Sequence, residues 1–223
     1  MRALKSFFTW LLSSIFPPRA SARLVHEAYV AHTELKVFSN PEVIKIQRYS
    51  SSSEPLQITP LIPYRLPLIP ACVLEAKFHN NKEAQEMLGN LLAGFLNNYI
   101  KVSAVLVPIP LGKKRRKERG YNQIEEISRF AVKNMTGEAI SFQISLESKL
   151  LVRSRETNPQ MTLGRTARLA NMKDAFVASQ PLNPETTYIL IDDVVTTGAT
   201  LLAAYEALQK GGATRILVVA LAH

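Results

Sequence analysis

The sequence predicts an α/β fold: a mainly parallel sheet flanked by helices over residues 57–223, preceded by a mostly helical amino-terminal appendage over residues 1–56. Three observations predict it. Residues 188–200, YILIDDVVTTGAT, open as a short apolar strand, reach the adjacent carboxylates Asp192 and Asp193, and turn through small and hydroxyl residues into a helix. That helix turns Leu201, Leu202, Tyr205 and Leu208 inward, stops at Gly211-Gly212, and is followed by an apolar strand over residues 215–221. Strand, helix and strand with short joints make parallel neighbours joined by a right-handed crossover. A further buried strand, Val105-Leu106-Val107, is cut off by Pro108-Ile109-Pro110 before another helix over residues 124–135.

From the amino terminus, Leu4, Phe7, Phe8, Leu11, Leu12 and Ile15 are spaced as one face of an amphipathic helix that Pro17-Pro18 ends. Arg2 and Lys5 ahead of an apolar stretch, with Ala20-Ser21-Ala22 behind it, imitate a signal peptide. The helical periodicity and the interspersed Ser and Thr favour a docked helix instead, with membrane-surface contact a lesser option, and the stretch is too short to span a bilayer. Residues 21–38 read as mostly helical, and His26 and His32, six apart, do not share a face for a metal. A short strand over residues 43–47 and a serine-rich loop over residues 48–55 follow. Pro60, Pro63, Pro67 and Pro70 punctuate an extended piece before a helix over residues 72–78, and a longer helix over residues 82–98 carries Leu88, Leu91, Leu92 and Phe95 on a core face. After the proline-bounded strand comes GKKRRKERG, residues 112–120, which reads as a basic loop at a strand end. Residues 141–152 alternate as one or two strands. Residues 153–166 form a polar loop with a basic root, suited to closing over a charged substrate, and Arg168 and Asn171 sit on a short helix before a strand over residues 175–178.

In 223 residues, 27 Lys and Arg against 18 Asp and Glu leave a formal charge of +9, which suits phosphate-rich substrates, nucleic acid or an acidic membrane surface. The only cysteine, Cys72, rules out an intrachain disulfide framework and a cysteine-based zinc site within one chain. No GxxxxGK[ST] pattern occurs, so the phosphate loop is not of the Walker type.

The chemistry concentrates in residues 192–200. At the carboxyl end of a parallel strand the next helix presents N–H groups without partners, which hold an anion. Thr196, Thr197 and Thr200 add hydroxyls, and Gly198 lets the backbone approach without a Cβ in the way, so Thr196 to Thr200, Ala199 among them, read as a monophosphate cup. Asp192 and Asp193 would repel that anion. They suit a vicinal diol, or a hydrated Mg²⁺ held directly or through its waters. Lys113, Lys114 and Arg115, behind Pro108, Ile109 and Pro110, are counter-ions for a second, multiply charged phosphate group, or else a solvated charge run.

Residues 188–200 resemble the phosphoribosyl-pyrophosphate signature of the type I phosphoribosyltransferases. Several motifs in order extend the likeness: EAKFH at 75–79, VPIPL at 107–111, ERGYNQ at 118–123, Arg153, Arg155, Thr157 and Gln160 in one series, and Arg168, Asn171, Ala175 and Phe176 in another. With them the chain resembles the ComF/GntX family. That family usually begins with a four-cysteine zinc ribbon behind Pro-Pro-Arg-Cys; here Pro17-Pro18-Arg19 is followed by Ala20, and no zinc is expected.

The resemblance implies the type I phosphoribosyltransferase fold and binding of phosphoribosyl pyrophosphate, or another ribose phosphate, with Mg²⁺. It also implies transfer of the phosphoribosyl group to an acceptor with loss of pyrophosphate. Asp192 and Asp193 would hold the ribose, and Thr196, Thr197, Gly198, Ala199 and Thr200 the 5′-phosphate. The loop from Pro108 to Arg116, with Arg153 and Arg155, would neutralise the diphosphate. The family's association with DNA uptake during competence supports an alternative: a cytoplasmic factor without a transmembrane segment that meets single-stranded DNA or a helicase through its basic loop, with the ribose-phosphate site as a sensor. A third reading is a scaffold that kept the fold and lost the chemistry.

Overall fold

The computed structural model describes residues 19–37, 43–48, 54–135, 142–155 and 165–223. The expected helix over residues 3–16 and the lid portion at 156–164 lie outside the described residues. A six-stranded sheet forms the centre, in the order β1-β2-β8-β7-β3-β4. Its strands are β1 (Ile44–Ile46), β2 (Leu56–Ile62), β3 (Ala104–Pro108), β4 (Ile144–Leu146), β7 (Thr187–Val194) and β8 (Arg215–Ala222). Every pairing is parallel except the edge pair of β1 with β2. The strands β5 (Leu151–Arg153) and β6 (Phe176–Ala178) make a separate antiparallel pair.

A parallel strand covered on both faces must be apolar at successive positions, and β7 is: Ile189, Leu190 and Ile191 are fully buried. The pleat divides them between two cores. Ile189 and Ile191, with Leu106 and Val219, face α2 (Leu68–Phe78), α3 (Lys82–Tyr99) and α5 (Gln123–Asn134). Tyr188 and Leu190, with Val107 and Val218, face α7 (Ala199–Lys210) and the small β5–β6 pair. The helix α1 (Ala20–Val30) closes over α2 with Val25 fully buried. The helix α6 (Arg165–Met172) leads into β6.

The expectation of parallel strands around residues 105–107, 188–191 and 215–221 is borne out, and four local expectations are corrected. The basic stretch is not a loop but the helix α4 (Lys113–Arg119), because Lys, Arg and Glu are strong helix formers and Gly120, at φ 78°, supplies a left-handed cap. The helix expected over residues 21–38 stops at Val30, with His32 at φ 51° leaving the helical conformation. Residues 56–62 are not merely extended but a paired strand, Pro60 included, which stands opposite Ala220. The helix expected from Cys72 begins at Leu68, since Pro70 sits in the first turn, where no intrahelical donor is lost. Within the expected appendage, β1 is hydrogen-bonded into the sheet.

Candidate functional site

The site lies at the carboxyl end of β7, where it stands between β3 and β8. Here Asp192 and Asp193 are the last residues but one and two of the strand, and their side chains go opposite ways. Asp193 is buried, and both its oxygens are engaged. Its Oδ1 accepts the Val194 N–H at 2.7 Å; its Oδ2 accepts Gln123 Nε2 at 2.8 Å and pairs with Lys77 Nζ at 3.0 Å. Asp192 is half-buried. Its Oδ1 accepts the Asp193 N–H at 2.9 Å, and it borders both the main cleft and the smaller cavity of the following loop. Burial first, and then the charge of Asp193, push the Asp192 carboxyl up to about 7, against the opposing pull of the Asp193 N–H, Lys77 and Arg153.

The loop between β7 and α7 follows from one glycine. Gly198 takes φ 73°, and a Cβ placed there would sit 2.7 Å from Ile46 Cγ1 and 2.9 Å from Ile46 Cδ1. Strand β1 therefore backs the loop, and Thr196, Thr197, Gly198, Ala199 and Thr200 line a cavity of about 30 Å³ at the start of α7. The N–H groups of that first turn have no partner within the helix.

The main cleft has a volume of about 690 Å³ and gathers Lys77, Arg115, Arg119 and Arg153 around the two carboxylates. Of the residues expected to meet a diphosphate, Ile109, Pro110 and Arg115 line it. Pro108 is buried, paired opposite Ile191. Lys113 and Lys114 stand on the exposed first turn of α4, outside the cleft lining. Arg153 lines the cleft and lies 5.5 Å over the Phe176 ring, whereas Arg155 donates to the backbone oxygens of Asn171 and Lys173 at 2.8 and 2.9 Å. The structure thus brings Arg153 to the acids and ties Arg155 to the end of α6.

Lys77, Arg119 and Gln123 also line the cleft and were not named as site residues from the sequence. Lys77 projects from α2 while Glu75, two residues earlier, is turned to the other side. There the buried Glu75 accepts Arg19 Nε at 3.1 Å, Arg19 Nη2 at 2.9 Å and Ser21 Oγ at 2.6 Å. Burial acts to raise the Glu75 pKa, but the bonds from Arg19 and Ser21 outweigh it and hold the carboxyl below its ordinary value. Arg119 stacks 4.8 Å over Phe78 and donates to Gln123 Oε1 at 3.0 Å. Burial and the neighbouring Arg115 lower its pKa, and Asp193 opposes them. The motifs EAKFH and ERGYNQ were the available signals for Lys77, Arg119 and Gln123; nothing in local spacing pairs them with residue 193. Tyr64, Leu74 and Phe78 give the mouth an apolar side.

Among the described residues no three His, Cys, Asp or Glu side chains converge as a metal cluster. The donors present, one partly free carboxylate at Asp192 beside an engaged one, fit an ion that takes most of its ligands from water and substrate oxygens, as Mg²⁺ does.

Competence protein F of Haemophilus influenzae is 31% identical over 126 residues, covering 56% of this chain and 52% of that protein. The DNA utilization protein YhgH of Escherichia coli K12 is 27% identical over 164 residues, covering 70% and 66%. Competence protein ComFC of Streptococcus pneumoniae is 31% identical over 129 residues, covering 57% and 52%. The match thus spans between about half and two thirds of the length of these relatives. The resemblance to the ComF family read from the motifs is borne out by them. A hypoxanthine phosphoribosyltransferase of Staphylococcus aureus overlays with a TM-score of 0.36 at 15% identity, covering 66% of this chain and 69% of that one, too loose a likeness to bear on function. No protein-family model matches the chain. No helix among the described residues is long and apolar enough to cross a membrane.

Proposed function

We propose that the chain binds phosphoribosyl pyrophosphate with Mg²⁺ and transfers its phosphoribosyl group to an acceptor, releasing pyrophosphate, in the cytoplasm of a cell that takes up or uses DNA. The observation that carries this reading is the position of Asp192, a carboxylate that opens both to the threonine-lined cavity and to the cationic cleft. A 5′-phosphate in the small cavity puts the ribose hydroxyls of the same molecule at Asp192 and its diphosphate among Arg115, Arg119, Arg153 and Lys77. When bound, Mg²⁺ supplies charge neutralisation for the diphosphate. The cations of the cleft stabilise the leaving group's charge as the bond to the anomeric carbon breaks. Catalysis of this kind consists of positioning and charge stabilisation, and needs no protein nucleophile.

A second reading rests on α4. Its exposed Lys114 and Lys117 stand beside the cleft, and relatives carry the names of competence and DNA-utilization proteins, which favours contact with single-stranded DNA or its helicase. One calorimetric series decides between them. Titrated with phosphoribosyl pyrophosphate and Mg²⁺, the wild type is expected to bind and Asp192→Asn to lose at least about tenfold in affinity, the loss of a charge-assisted contact. Silence of the wild type towards that ligand, with salt-sensitive binding of a single-stranded oligonucleotide that fades when Lys114 and Lys117 are neutralised, would move the assignment to the second reading.

A further inference from the structure

Tyr121, Asn122 and Gln123 have no part in the reading above, yet their side chains leave the start of α5 for three different walls of the cleft. Tyr121 Oη donates to the Ala76 carbonyl at 2.8 Å and accepts the Asn80 N–H at 2.8 Å, which fixes the end of α2 from which Lys77 reaches the acids. Asn80 is itself held at φ 49°, an unusual conformation for a residue with a side chain. Asn122 Nδ2 donates to the Ile109 carbonyl at 3.0 Å, on the loop that leaves β3. Gln123 Nε2 donates to Asp193, and its Oε1 accepts from Arg119.

The cost of this arrangement points to its purpose. Asn122 is the N-cap residue of α5, and asparagine is among the best of all N-caps, but its side chain makes no capping bond. The amide is committed to Ile109 instead, and its Oδ1 is left buried without a hydrogen-bond partner. Gln123, at the first helical position, is 4% exposed, where an ordinary helix start would leave a glutamine in water. A tripeptide that forgoes capping and buries an unmatched oxygen is a poor way to begin a helix. It is an effective way to tie together three elements distant in sequence.

We propose that Tyr121-Asn122-Gln123 is a positioning unit that sets the α2 wall with Lys77, the loop after β3 and the acid pair at fixed spacing around the ligand. The proposal rests on the phosphoribosyl-pyrophosphate reading of the cleft, and its test separates the two.

Each wall carries an amide that reports on it: Asn80 N–H on Tyr121 Oη, Ile109 N–H on the Ile191 carbonyl at 2.9 Å, and Val194 N–H on Asp193 Oδ1. The variants are Tyr121→Phe, which removes one oxygen, Asn122→Ser, which keeps a good N-cap but not the reach to Ile109, and Gln123→Met, which keeps length without a donor. Hydrogen exchange is measured on each, with calorimetry for phosphoribosyl pyrophosphate and Mg²⁺. The unit predicts that each variant speeds exchange at its own reporter by about tenfold while distant core amides hold their rates. It also predicts that the dissociation constant rises by at least about tenfold, as when residues supporting a site's direct ligands are removed. A mere helix-start role predicts that Asn122→Ser is silent at Ile109 and in affinity. Reporters exchanging at wild-type rates overturn the unit, as does full affinity in all three variants. If the wild type itself has no affinity for the ligand, the functional reading falls while the exchange rates still decide: local acceleration sustains the unit, and its absence overturns it.

Discussion

Asp192 and Asp193 are neighbours in sequence with opposite employment. Asp193 is paid for by Lys77, Gln123 and the Val194 N–H, so its charge serves the architecture; Asp192, with fewer bonds and a face to both cavities, is the one a ligand can reach. That asymmetry has a consequence in stability. The Asp192 carboxyl is raised from its ordinary 3.8 to about 7, so between those values the folded chain holds a proton that the unfolded chain has released. Its contribution to stability therefore falls as pH rises through that window and stays low above it. Asp192→Asn abolishes this titration. Urea midpoints measured at pH 4, 6 and 8 should show the variant gaining on the wild type as pH rises, and a difference that does not change with pH would contradict the assignment. The sequence made both acids legible as site residues through their place between an apolar strand and a Thr-Thr-Gly loop. Their division of labour was not legible, because Lys77 and Gln123 reach them only through the tertiary fold.

Among the elements, those the sequence conveys best are the ones whose pattern is set by burial on both sides. The runs that became β3, β7 and β8 are apolar at successive positions for that reason. The segment at 113–119 misled because charge pattern says how a stretch meets water, not whether it is helical; intrinsic propensity and the flanking Gly112 and Gly120 decided it. Strand β2 was obscured by its proline; β1 matches the short strand read over residues 43–47, but no pattern in the sequence pointed to a part for it in the site. Yet β1 shapes the site. Ile46 fills the space where Gly198 lacks a Cβ, so Gly198→Ala is expected to destabilise the chain by about 1–3 kcal/mol, from the positive φ together with the steric clash. Adding Ile46→Ala to it should relieve the steric part, seen as a double-mutant coupling in urea unfolding. Strict additivity of the two losses would mean that β1 does not press on the loop.

At the scale of the whole molecule the question is whether residues 1–56 are separable from the rest, as the change in pattern near residue 57 suggests in the sequence. The described contacts argue for one cooperative unit. Val25 of α1 and Ile46 of β1 are 0% and 2% exposed, buried against residues of the later part, and β1 covers the edge of β2. Arg19 and Ser21 satisfy Glu75, which is 0% exposed and sits on the same helix as Lys77. Cutting at residue 57 would expose the apolar surface that Val25 and Ile46 cover, worth about 1.5–3 kcal/mol per side chain, against a total stability of about 5–15 kcal/mol for a domain. It would also leave a carboxylate in an apolar setting without its donors, a further loss, because a buried charge without partners is penalised more than the pair ever gained. A fragment of residues 57–223 is therefore expected to unfold at a clearly lower urea concentration than the full chain, with faster exchange along β2, in the 199–202 turn and at the end of α2. Should the fragment instead show the full chain's midpoint and the same protection at those sites, the amino-terminal region would be an addition to an autonomous domain. The site would then owe its shape to residues 57–223 alone.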